Sequence, residues 1–343
     1  MPDLYSTDSL VDVVRNLKRP ETFLLKTFFP RLIEETSEEI HFDVEADRRR
    51  LAPFVSPLVQ GKIVERQGFS TKSFRPAYVK DKRPFDSNQP MKRIAGEQIS
   101  GRLSPAQREM ILLAQELEDQ MWMLMRRKEV MACEALRTGK TTVSGEGFPT
   151  VVVDFQRKAS LTKVLAGANR WGQAGVSPVE DLESWSEEIL QESGAQASDV
   201  VLEIAAMRHL RADTKFEKAV DLRRGGEASV EYGPMVTKGV AFIGTLGNLR
   251  LWRYQDWYED PVTDSMTPLL PSWQVLMISE FLDGRQQHGA IRDYEANFQA
   301  AEFWPKSWVE HDPSARFLLM QSAPLMVPFR PDASMGVIVD DGL

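Results

Sequence analysis

The chain has 343 residues, 42 basic against 50 acidic side chains, a formal net charge of −8, and an ordinary 42% hydrophobic and 27% charged content. That length supports a sizeable core in two domains or one large one. The acidic balance argues against a protein whose main task is gripping nucleic acid, the single cysteine excludes an internal disulfide and a thiolate-rich metal site, and no apolar run reaches the roughly 18 residues of a membrane span.

Met1-Pro2-Asp3-Leu4 lacks the basic and apolar regions of a signal peptide, so a reducing cytoplasm is expected. Residues 1–50 read as a helix-prone arm followed by extended chain. Leu10, Val13, Val14 and Leu17 have helical spacing that Pro20 stops, and Phe23, Leu24, Leu25, Phe28 and Phe29 form an apolar knot before Pro30. Residues 51–95 interleave Val, Ile, Phe and Tyr with Gly, Pro, Lys and Arg, and strand signals bracket Gly61 and Gly68 as in a long hairpin. Lys72, Arg75, Lys80, Lys82 and Arg83 make this extension basic, with too few apolar residues for a core of its own. It is expected to be either a solvated loop or an arm lying on an acidic neighbour.

The strongest signal follows. Ser104 is an N-cap, Pro105 occupies the first helical position and Gln107 completes a capping box. Gly and Pro are then absent until Gly139, placed for a C-terminal cap. Acids (Glu109, Glu116, Glu118, Asp119) precede bases (Arg126, Arg127, Lys128, Arg137), an order that complements the helix dipole. A helix over 104–138 is about 50 Å long at 1.5 Å per residue, beyond the roughly 30 Å of a small domain. Its expected buried stripe is Met110, Leu113, Leu117, Met121, Leu124 and Met131, beside Ile111, Trp122 and Met125. That stripe is broader than a coiled-coil seam and suits packing on a sheet.

A hairpin is predicted around Gly145-Glu146-Gly147, then a loop over 156–178 and a helix over 178–193. A strand at 200–204, a helix at 209–222, a strand pair around Gly247-Asn248, and buried strands at 271–279, 317–320 and 325–329 follow, with a loosely held tail over 332–343.

Catalytic motifs fail on inspection. Gly139-Lys140-Thr141 lacks the earlier P-loop glycine, since Glu134 stands there, and it follows a helix rather than a strand. Ser160-x-x-Lys163 lacks its S-D-N and K-T-G partners. His41, His209, His288 and His311 do not pair at metal-ligand spacing. Cys133, inside the long helix, reads as a buried inert thiol. Trp252, Tyr254, Trp257 and Tyr258 form an aromatic cluster more typical of packing or an interface than of base stacking. No catalytic, cofactor or metal site emerges.

Several segments resemble the major capsid proteins of lambda-like tailed phages, the phage capsid E protein family. They are Val55-Ser56-Pro57-Leu58-Val59 with Gly61, Pro76 with Tyr78-Val79-Lys80, and Arg223-Arg224-Gly225. Pro305-Lys306 with Trp308-Val309, Asp312-Pro313 with Ala315-Arg316, and above all Gln321-Ser322-Ala323-Pro324-Leu325-Met326 complete the series. The pieces fall in family order across about residues 50–330, while residues 250–262 and the detail of the arm depart from the pattern.

The resemblance implies an α+β tailed-phage capsid fold: an N-terminal arm (1–50), an E-loop hairpin (51–95), a P domain with a long spine helix (96–160 and 286–343) and an A domain (161–285). It implies no catalysed reaction and no cofactor. The expected role is an icosahedral shell subunit that assembles with itself into hexamers and pentamers around double-stranded DNA, held only weakly and non-specifically. A scaffolding protein and a portal protein are implied as partners, with a decoration protein left open, in the host cytoplasm during assembly and in the virion afterwards. Lys72, Arg75, Tyr78, Lys80, Lys82 and Arg83 are the candidate inter-subunit contacts, and Met110, Leu113, Leu117, Met121 and Leu124 the spine-helix core. An encapsulin-like compartment shell, or a soluble enzyme with an unrecognised carboxylate site, are the alternatives.

Overall fold

Capping chemistry sets the longest element. In the computed structural model, which describes residues 5–37, 39–45, 51, 60, 69–86, 89–95, 97, 103–145, 148–216, 235–237, 239–311 and 314–340, an α-helix spans Pro105–Thr138 with the full Ser104–Gln107 capping box and Gly139 left-handed at its C-cap (φ 68°). Among the described residues it is the third of five α-helices: α1 (Thr7–Asn16), α2 (Phe23–Phe28), α3 (Pro105–Thr138), α4 (Pro178–Ser193) and α5 (Ile204–Ala212).

The strands in chain order are β1 (Arg31–Glu34), β2 (Ile40–Glu45), β3 (Phe69–Phe74), β4 (Val79–Asp86), β5 (Lys140–Gly145), β6 (Phe148–Asp154), β7 (Thr162–Val164), β8 (Asp199–Leu202), β9 (Met235–Thr237) and β10 (Val240–Leu246). Then come β11 (Leu249–Tyr254), β12 (Trp257–Asp260), β13 (Ser265–Pro268), β14 (Gln274–Ile278), β15 (Gly284–His288), β16 (Trp304–His311), β17 (Ser314–Ser322), β18 (Pro324–Pro328) and β19 (Ser334–Ile338). The main sheet runs β7-β19-β14-β8-β11-β10-β9, and two smaller sheets run β1-β15-β18 and β16-β17-β4. The ladders β2–β3, β5–β6 and β12–β13 stand as two-stranded ribbons.

The main sheet is buried on both faces, which is why its central strands read as unbroken apolar runs. Alternate residues separate two cores. Val200, Leu202, Val275, Met277, Met335 and Val337 pack with Leu182, Trp185 and Leu210 of α4 and α5, where Trp171 stacks on Trp185 at 5.8 Å. Val201, Leu276 and Ile278 face the other way, into the core shared with α1, α2 and α3.

The tail expected to be loose is instead structural. β19 lies between β14 and β7, antiparallel to the first and parallel to the second, and Met335 and Val337 are fully buried. Its five residues are too few to signal a strand alone; the flanking strands supply the ladder. The hairpin expected around Gly61 and Gly68 lies outside the described residues, as do Glu146 and Gly147 of the turn after α3. The observed antiparallel pairing in the extension is β2 with β3, Ile40 opposite Phe74 through Glu45 opposite Phe69. β4 leaves that ribbon to pair with β17, from Ala315 opposite Asp86 to Ser322 opposite Val79. α5 starts earlier than the predicted 209–222, and residues 217–222 lie outside the described residues. The 156–178 loop contains one short strand, β7, that edges the main sheet.

β19 crosses the end of α3 so closely that a Cβ on Gly336 would lie 2.0 Å from the Arg137 carbonyl oxygen. Gly336→Ala is therefore expected to destabilise the subunit by about 3 kcal/mol in urea denaturation. Gly145→Ala, where a Cβ meets open space, should stay within about 0.5 kcal/mol of the parent.

Candidate functional site

The two ends of α3 live in different surroundings. Residues 105–112 are exposed or half-buried, whereas Lys128, Glu129, Met131, Ala132, Cys133, Ala135 and Leu136 are buried, leaving one side open along Arg127, Val130, Glu134 and Arg137. Of the expected stripe, Leu113, Leu117, Met121 and Leu124 are 1, 1, 0 and 2% exposed. Met110 departs from it at 56% exposure, because the first two turns run beyond the layers that cover the rest of the helix. Trp122, at 42%, faces outward as well.

A charge on the buried part of a helix must be satisfied. For Glu129 the partners come from across the chain. Its Oε1 and Oε2 accept the backbone N–H groups of Leu24 and Leu25, each at 2.8 Å, and Oε1 accepts the Tyr254 hydroxyl at 3.1 Å. Those amides belong to the first turn of α2, whose own N-cap Thr22 makes no side-chain bond. Glu129 thus supplies a cap from another helix. Burial outweighs these bonds and raises its pKa to about 7.

Lys128, fully buried, donates to Glu302 Oε1 at 2.7 Å. Arg19 from the arm reaches Glu302 Oε2 at 3.0 Å, and both cations lie over the Phe303 ring. Desolvation first, and the Lys128 charge second, hold the nearby His288 well below the ordinary histidine range, so it is neutral.

Arg157 closes the far end of α3. Its guanidinium donates to the carbonyls of Leu136 and Arg137 and to Thr162 Oγ1, each at 2.6 Å. A cation on the last carbonyls complements the helix dipole. Burial lowers its pKa to about 10, which leaves it charged at neutral pH. Sequence reasoning missed Lys128, Glu129 and Arg157. The legible signal for Lys128 and Glu129 was a charged pair among Met125, Met131, Ala132, Cys133, Ala135 and Leu136, beside the further charges Arg126, Arg127 and Glu134.

The six arm residues separate into two groups. Arg83 is engaged within its own subunit, with Asp81 and Glu116 at 2.9 Å and Asp119 at 2.7 Å. Tyr78 donates its hydroxyl to the Ala290 carbonyl at 2.6 Å. Lys80 and Lys82 are exposed: Lys80 lies over Tyr78, and Lys82 over the stacked Trp308 and Phe317, 4.1 Å from the Phe317 centroid. Arg75 is exposed, and Lys72 sits on β3 opposite Phe42.

Among the described residues no group of three or more His, Cys, Asp or Glu could hold a metal. The buried Cys133 thiol donates to the Leu269 carbonyl at 3.0 Å, and burial pushes its pKa up to about 12. The aromatic cluster is largely packing. Trp252 lies 5.2 Å from Phe23 and bonds Asp199 at 2.8 Å, while Tyr254 holds Glu129; Trp257 remains 42% exposed.

A sequence profile of the family described as phage major capsid protein E matches residues 6–339. The chain is 27% identical over 342 residues to the major capsid protein of Escherichia phage N15, covering 97% of this chain and 98% of that one. It is 28% identical over 342 residues, with the same coverage, to the major capsid protein of Enterobacteria phage phi80. Its fold matches a crystal structure assigned to a prophage capsid protein of E. coli CFT073 with a TM-score of 0.75 and 25% identity, covering 97% of this chain and 99% of the other.

The Glu129 contact has a pH signature. Its folded pKa of about 7 exceeds the ordinary 4.5, so its contribution favours the fold at acid pH and is lost as pH rises through 7. Glu129→Gln should remove up to about 3 kcal/mol of that dependence between pH 5 and pH 9. It also loses one N–H bond at every pH, because the amide offers a single acceptor. Urea midpoints of both proteins across this range check it, and parallel pH profiles would refute the assignment.

Proposed function

The chain belongs to the phage major capsid protein E family and is a structural subunit of a phage head, and we propose that it acts by self-association, forming the hexamers and pentamers of an icosahedral shell around packaged double-stranded DNA. The observation that carries this reading is the family match across almost the whole chain, on a fold organised around one long helix whose first turns protrude from their own core. In this reading residues 1–50 are the arm and 51–95 the E-loop, the two meeting where β2 pairs with β3. Residues 96–160 and 286–343 form the P domain, built on α3 and the β16–β17 ladder, which β4 from the E-loop segment extends. Residues 161–285 form the A domain, built on α4, α5 and six strands of the main sheet, to which the C-terminal segment adds β19.

The acidic net charge suits a container, because an interior that gripped DNA tightly would resist both packaging and release. A scaffolding protein to guide curvature and a portal protein at one vertex complete the proposed partners, with the host cytoplasm as the place of assembly. The subunit itself performs no catalysis in this scheme. Lys80 and Lys82, exposed beside partners that are aromatic rather than acidic, are the arm residues best placed to meet an acidic neighbour.

Expression with a scaffolding protein should yield large closed particles by negative-stain microscopy. A chain that stays monomeric by light scattering at every salt concentration would overturn the reading, and particles holding a protein cargo would favour a compartment shell. Replacing Lys80 and Lys82 together by Glu should change subunit stability by no more than about 1 kcal/mol. Particle yield should nevertheless fall, most steeply at low salt where charge repulsion is least screened.

A further inference from the structure

Two helices cover one face of the main sheet, and they carry opposite charge. α4 packs on β19 and on the short turn Pro331–Ala333, while α5 packs on β11. They therefore stand toward opposite ends of the strand order β7-β19-β14-β8-β11. Three strand spacings, about 14 Å in all, separate β19 from β11.

The α4 end is acidic. The helix holds Glu180, Asp181, Glu183, Glu187, Glu188 and Glu192 and no base. Glu180 meets Lys215, Glu188 meets Lys163, and Glu192 meets Lys158 at 2.6 Å. Asp181 accepts the Trp171 indole N–H at 2.8 Å. Asp332, beside Lys158 and Arg157, adds a seventh acid. Counted against Arg157, Lys158, Lys163 and Lys215, these seven acids leave a surplus of three negative charges. Glu183 and Glu187 carry it outward: both are exposed, and neither has an ion-pair partner among the described residues. Apolar surface accompanies them. Leu190, one turn beyond Glu187, is 40% exposed, and Val164 on β7, the strand that ends the sheet, is 62% exposed.

The α5 end is basic. Its acids are all turned to structural work. Glu203 accepts the N–H groups of Ala205 and Trp273. Asp213 takes the Ser177 hydroxyl and the N–H groups of Val179 and Lys215. Asp340 faces Arg170 at 3.7 Å, with His209 beside it. Against these three stand Arg170, Arg208, Arg211 and Arg253, the last on the same face of β11 as Leu251. Arg208 and Arg211 are exposed on the outer side of α5, and Arg208 has no ion-pair partner among the described residues.

We propose that Glu183 and Glu187 at the acidic end of this layer dock against Arg208 and Arg211 at the basic end of a second copy of this chain. The inference rests on the capsid reading and deepens it by naming surfaces through which neighbouring subunits meet. One layer carries both complements, so every copy offers what the next one needs. Pairing either end with its own kind would set like charges together, which excludes a two-fold dimer through these surfaces. The contact is instead heterologous, repeats head to tail, and closes into a ring where the rotation permits. Exposed ion pairs are individually weak and screened by salt. The contact therefore sets the order and orientation of neighbours, while apolar surfaces hold them.

The test uses the full chain under conditions where the parent assembles. Glu183→Lys with Glu187→Lys, and separately Arg208→Glu with Arg211→Glu, alter exposed side chains, so each free subunit should melt as the parent does. Particle yield by sedimentation should fall at least about tenfold for each pair at low salt, and recover toward the parent's as salt rises. A chain carrying all four changes should assemble again, because its two ends have exchanged sign. Mixing the two doubly changed chains should also give particles, since each presents the other's complement. Full yield from either doubly changed chain overturns the proposal, and so does a lack of recovery in both the fourfold chain and the mixture. Parent chain that forms no particles would instead overturn the capsid reading itself.

Discussion

The arm, the segment before β16 and the chain after β6 are all fastened to the second half of α3, where each buried charge and each buried terminal carbonyl must find a partner. Glu129 meets that demand by capping α2, Lys128 by meeting Glu302 and through it Arg19, and the last carbonyls by taking the Arg157 guanidinium. Each solution joins α3 to a segment distant in sequence: the arm, the segment before β16, or the chain after β6. The polar groups of the core therefore specify which segments dock where, while the apolar surface supplies most of the stabilisation.

This arrangement divides labour along the helix. The last turns lie in the core on one side of the main sheet, shared with α1 and α2. The first turns, capped by their own box and carrying exposed Met110, project from that core. Burying the whole rod within one subunit would require a far thicker core. A shell subunit needs such surfaces, since its interfaces must be extensive in sum yet individually weak enough to assemble without trapping errors.

The sequence was most informative where structure follows from neighbours within a few residues. Ser104, Pro105, Gln107 and Gly139 placed the ends of α3 because caps are local chemistry, and α4 was equally legible at Pro178 and Ser193. The strand pair at Gly247-Asn248 and the buried β14 and β18 followed from turn residues and apolar runs. The stripe Leu113, Leu117, Met121 and Leu124 was readable from period alone, but Met110 was not, since periodicity says which face is apolar and not how far the covering layer extends. The six arm residues were visible as a basic run. Only the fold shows that Arg83 is taken up by Asp81, Glu116 and Asp119 while Lys80 and Lys82 remain exposed.

What the sequence determined by itself was the long helix, the acidic character, the lack of any recognisable catalytic constellation and, through short ordered segments, the family. Tertiary structure alone decided that residues 334–338 form a buried strand of the main sheet, that Glu129 serves as another helix's cap, and that α4 and α5 stand toward opposite ends of one layer. The reason is physical. Caps and periodicity act over one turn of chain, whereas a strand's ladder, a buried charge's partner and a helix's place on its sheet are supplied by residues up to a hundred or more positions away.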